Sequence, residues 1–60
     1  MRINYEKWKK YWEEEMSKEN AAIVYVSAAE AITHNGQYSD YQKVRMMETL
    51  SNVWNRHLRK

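Results

Sequence analysis

The sequence contains no cysteine, no proline and no phenylalanine, and its one glycine is Gly36. Without cysteine there is no disulfide framework, no thiolate zinc site and no thiol nucleophile. Without proline, and with a single glycine, collagen repeats, polyproline segments, flexible Gly/Ser linkers and glycine-rich phosphate loops are excluded. Long apolar runs are missing too: the longest, Ala21 to Val26, falls far short of the roughly 20 residues that span a bilayer. Met1-Arg2-Ile3-Asn4 leads straight into charged residues and does not read as a signal peptide. Charge of one sign is scarce as well. Ten Lys+Arg against eight Asp+Glu leave +2, too small a surplus to name a partner. These absences lead us to expect a soluble, cytoplasmic chain that does not engage membranes.

What is present is a 60-residue chain, enough for one domain and one small core. Ile, Leu and Val supply nine residues; the other apolar side chains are Ala, Met, Trp and Tyr. For a chain this short, buried area and lost conformational entropy nearly cancel unless something extra stabilises it. With disulfides excluded, pooling the cores of two or more copies is the expected remedy, so a homo-oligomer is anticipated.

Periodicity and helix propensity predict an all-α fold, a small helical bundle with helices at about 3–16, 18–34 and 39–58. Asn35 and Gly36 both tolerate positive φ and are expected to turn an antiparallel helical hairpin through an αL cap. Ser39 reads as the next N-cap, with Gln42 completing a capping box and Asp40 at the positive helix end. In the last helix Tyr41, Val44, Met47, Leu50, Trp54 and Leu58 share one face, widened by Met46 and Val53, and this face is expected to be the core. Before the turn, the stripe Tyr5, Trp8, Trp12, Met16 gives way to Ala21, Tyr25, Ala28, Ala29, Ile32. The two stripes point in different directions, which suggests a break at residues 17–20 with Ser17 or Asn20 as cap. Ile23-Val24-Tyr25-Val26 has strand-like composition, but the alanines flanking it favour helix.

Catalysis has little to work with. Glu30 and His34 stand four apart, as a helical metal pair would, but further ligands are wanting. No catalytic, cofactor or metal site is therefore assigned, and no enzyme is expected. Lys7-Trp8-Lys9-Lys10-Tyr11-Trp12 interleaves cations with aromatics, as nucleic-acid contacts do. Glu13-Glu14-Glu15 neutralises it at once, and four Lys/Glu pairs at i, i+4 (6–10, 9–13, 10–14 and 14–18) suggest a salt-bridged outer face. Trp8, Tyr11 and Trp12 are instead candidate anchors for a protein partner, because Trp and Tyr are enriched at binding hot spots. Tyr11 lies about 100° from Trp12 on the helical wheel, so one helix face cannot bury all three rings, and at least one, Tyr11, is expected to be accessible. Ala21, Ala22, Ala28 and Ala29 form a small-residue face around Tyr25, suited to pairing between chains or to packing within one, and Ala21, Tyr25, Ala28 and Ile32 are its candidate oligomer contacts. Arg45, Asn52, Arg56 and Arg59 are the alternative nucleic-acid contacts.

The run Asn35-Gly36-Gln37-Tyr38-Ser39-Asp40, followed by an amphipathic helix, resembles the loop and second helix of ribbon-helix-helix DNA-binding proteins. That resemblance implies a DNA-reading strand at Ile23–Val26. It would leave the intervening helix too short and the strand in mid-chain, so the all-α reading stands. The expected function is a small non-enzymatic protein-binding regulator or inhibitor that occupies a partner surface. Phage-encoded chains of this size often act in that way, which is a base rate and not a property of these residues. The alternative is a small nucleic-acid-binding regulator using the basic face of the last helix.

Overall fold

A computed structural model describes residues 2–59, which fold into three helices: α1 (Tyr5–Lys18), α2 (Ala21–Thr33) and α3 (Asp40–Leu58). Each begins at a side-chain cap. Asn4 Oδ1 accepts from the Lys7 N–H at 3.1 Å. Asn20 Oδ1 accepts from the Ala22 and Ile23 N–H groups at 3.0 and 3.3 Å. Ser39 and Gln42 form the reciprocal capping box, with both bonds near 3 Å (2.9 and 3.1 Å). The break after α1 falls at Glu19, whose extended backbone ends the helix while its N–H still reaches the Glu15 carbonyl at 3.0 Å. Asn20, not Ser17, is the cap; Ser17 bonds back to the Glu13 carbonyl from within α1. Residues 23–26 are helical, so the strand implied by the ribbon-helix-helix resemblance is absent.

The turn at residues 34–39 is built differently from the expectation. No described residue, Gly36 included, has positive φ. Asn35 Oδ1 accepts from the Gln37 N–H at 2.9 Å, an Asx turn that reverses the chain without a left-handed residue. A Cβ built on Gly36 meets nothing within 4 Å. Gly36→Ala is therefore expected to stabilise the protein by about 0.4–1 kcal/mol, because alanine restricts the unfolded chain. Thermal denaturation checks this, and a fall in melting temperature would show that position 36 needs glycine.

The helices run up, down and up. Tyr5 and Glu13 of α1 meet Arg45 and Arg56 of α3, so those two helices are parallel. Tyr25 stacks on Trp54 at 5.3 Å, while Ile32 and Thr33 lie beside Val44 and Met47, so α2 is antiparallel to α3. The core is Trp12 and Met16 from α1, Ile32 from α2, and Met46, Leu50 and Val53 from α3.

This core corrects the expected face of α3. Tyr41, Val44 and Leu58 are 67%, 58% and 60% exposed, and Trp54 is only half-buried. The buried set Met46, Leu50, Val53 lies about 110° round the helix from the set Val44, Met47, Ser51, Trp54, Leu58. The first faces the groove between α1 and α2, where three helices enclose it. The second faces outward beside α2. The face proposed for pairing between chains is likewise used within the chain: Ile32 is buried, and Ala21, Tyr25 and Ala28 pack against the core.

Candidate protein-binding groove

The three inter-helix grooves differ in chemistry, and their differences follow from which stripe each helix turns outward. Between α1 and α2, Trp8, Tyr11 and Trp12 face Ile23, Val24, Ser27, Ala28 and Ala31. The small residues of α2 leave room for the large rings of α1. Trp8 sits at the centre of an aromatic cluster, edge-on to Tyr11 at 5.7 Å and tilted against Trp12 at 5.5 Å. Both contacts are in the range where ring pairs add stability beyond their buried area. Trp12 is 3% exposed and belongs to the core, so it supports the groove from below and cannot itself serve as a partner anchor, a correction to its expected role. Trp8 and Tyr11 are 37% and 49% exposed, and Ile23 is 63% exposed on the opposite wall. Ile23 was not singled out as a partner contact; its place in an apolar run hid its outward direction. The charged residues of this lining are Glu15 and Glu19, and their carboxylates form no ion pair among the described residues.

The groove between α1 and α3 is basic. Lys9, Arg45, Arg56 and Arg59 line it against Glu6, with Asn52 and Asn55 between them. Two of its arginines already have partners inside the chain. The Arg45 guanidinium lies 5.0 Å from the centre of the Tyr5 ring and donates to the Tyr41 hydroxyl at 3.4 Å. Arg56 meets Glu13 at 3.7 Å. None of the four expected i, i+4 Lys/Glu pairs of α1 closes among the described residues. An exposed pair of flexible side chains gains little in water, and Glu13 turns to the neighbouring helix instead.

The third groove, between α2 and α3, is lined by Ile32, Thr33, Val44, Met47, Ser51 and Asn52, with one cation and one anion, Lys43 and Glu48. Glu30 and His34 are both exposed, and no three His, Asp or Glu side chains converge among the described residues. No described helix is long and apolar enough to cross a membrane. No family model, curated protein or solved structure matches the chain.

Proposed function

We propose that the protein is a non-enzymatic regulator that works by occupying the surface of another protein, and that the α1/α2 groove is where the partner sits. The observation that carries this reading is the pairing of exposed rings, Trp8 and Tyr11, with an exposed aliphatic wall at Ile23 across a groove charged only by Glu15 and Glu19. Aromatic anchors backed by a packed core lose little freedom on binding, which is why such residues dominate hot spots. From Trp8 to Glu19 the groove runs about 16 Å, three turns of helix. Its occupant is an amphipathic helix that lays apolar side chains between the rings and Ile23 and places Lys or Arg over Glu15 and Glu19.

A second reading draws on the α1/α3 groove, whose four cations suit a phosphate backbone. It is the weaker of the two, because Arg45 and Arg56 must give up intrachain contacts to serve it. One capture experiment separates them, using cell lysate with and without nuclease treatment and mass spectrometry. Tyr11→Ala and the double change Glu15→Lys, Glu19→Lys are expected to abolish capture with helicity unchanged, while a triple Ala variant at Arg45, Arg56 and Arg59 retains it. Capture that requires the arginines, vanishes with nuclease and falls steeply with salt would overturn the protein-binding reading.

A further inference from the structure

Helix α3 carries two apolar stripes, and one of them is covered within the chain only along its α2 side. Val44, Met47, Ser51, Trp54 and Leu58 recur at alternating steps of three and four residues, the a/d spacing of a coiled-coil seam. Val44 and Leu58 at its ends are more than half exposed, while Met47, Ser51 and Trp54 are half-buried along one side against α2. Two properties of this stripe say what covers it. Its sequence is nearly symmetric about Ser51: an aliphatic residue seven positions to either side, a large residue three or four positions to either side, and a small one at the centre. Its groove is also electrically neutral, with Lys43 balancing Glu48, unlike the acidic and basic grooves on the other two faces.

We infer that the α2/α3 face is the interface of a homodimer, in which two α3 helices cross antiparallel on a two-fold axis near Ser51. A two-fold contact requires a surface that complements itself. Reversing one copy about Ser51 lays Val44 over the other copy's Leu58, and brings the large side chains Met47 and Trp54 to opposing positions. Serine at the axis lets the helices approach closely. Val26 of α2 is 53% exposed and lies two turns before Thr33, about 20° round the helix from it, and Thr33 lines the same groove. With α3 about 28 Å long, α2 about 20 Å long and each helix about 10 Å wide, the face covers about 480 Å² per copy. Doubled, that comes close to the roughly 1,000 Å² at which specific interfaces begin. This surface is separate from the α1/α2 groove, so a dimer leaves both aromatic grooves open.

Sedimentation equilibrium from about 1 to 500 μM tests the inference. The protein is expected to approach twice the 7.4 kDa chain mass. Val44→Glu and Leu58→Lys, each at a residue exposed enough to spare the fold, are expected to weaken self-association at least tenfold with circular dichroism unchanged. Mixed in equal amounts, the two variants are expected to pair, because the antiparallel register sets the new glutamate against the new lysine. Ile23→Lys, on the other face, should dimerise like the parent. A parent protein that stays monomeric at 500 μM overturns the inference. So does a dimer that survives both α3 variants, one that is lost on Ile23→Lys, or a mixture that fails to pair.

Discussion

Trp12→Ala is expected to leave the protein largely unfolded at 25 °C, while Tyr11→Ala, one position away, leaves it folded. Trp12 is 3% exposed and lies where α1 meets the small residues of α2. Truncating a buried aromatic to alanine costs about 3–5 kcal/mol, the lost transfer free energy plus that of the cavity left behind. A core in a chain of this length rarely supplies more than about 3–5 kcal/mol, so this one change is as large as the core's whole contribution. The alanines of α2 beside it cannot fill the space, and Trp8 is already engaged edge-on with Tyr11. Tyr11, 49% exposed, makes an edge contact with Trp8 and caps nothing. Its replacement falls among surface changes, within about 0.5 kcal/mol. Far-ultraviolet circular dichroism against temperature, at a fixed low-micromolar concentration, reads both. Equal melting of the two variants would mean that α1 does not use Trp12 to hold the bundle together.

The contrast between these neighbours also shows where sequence reasoning succeeds and where it stops. Caps and breaks are local, and they were legible: Ser39 and Gln42 form their box because a hydroxyl and an amide three residues apart reach each other's backbone whatever surrounds them. The disagreement of stripes before and after residues 17–20 fits either a break or one helix facing two neighbours; the chain breaks, with Glu19 ending α1 and Asn20 capping α2. Gly36 misled because permissiveness is not obligation; the Asn35 side chain makes the turn by a route that any residue at 36 allows. The core of α3 misled for a different reason. Periodicity identifies apolar stripes, and α3 has two. Which one faces its own chain depends on how α1 and α2 are arranged around it, and no local pattern in α3 encodes that. That at least one ring in the candidate groove stays exposed was legible from counting, since one helix face cannot bury all three aromatics at positions 8, 11 and 12. Ile23 was not, because its outward direction follows from the packing of Val24 and Ala28 beside it.

The two stripes of α3 make opposite demands on two leucines of the same helix, and the last prediction turns on them. Leu50 is fully buried, with 0% of its surface exposed, at the point where α1, α2 and α3 meet. Leu58 is eight positions on, about 80° round the helix, and is 60% exposed. Leu50→Ala is expected to cost about 2–5 kcal/mol, the range for a core leucine whose surroundings relax only in part, and so to abolish cooperative melting near room temperature. Leu58→Ala is expected to leave the melting of dilute protein unchanged, since its side chain touches mainly solvent in the single chain. A stripe that binds a second copy ties folding to protein concentration by mass action. The parent should therefore melt higher at 500 μM than at 5 μM, and Leu58→Ala should flatten that difference. Leu50→Ala behaves otherwise: its loss is intrinsic to the monomer, so high concentration restores only what the dimer contributes. Should Leu58→Ala prove as damaging as Leu50→Ala at 5 μM, the stripe through Leu58 would be part of the single-chain core, and the assignment of α3's buried face to Met46, Leu50 and Val53 would fall.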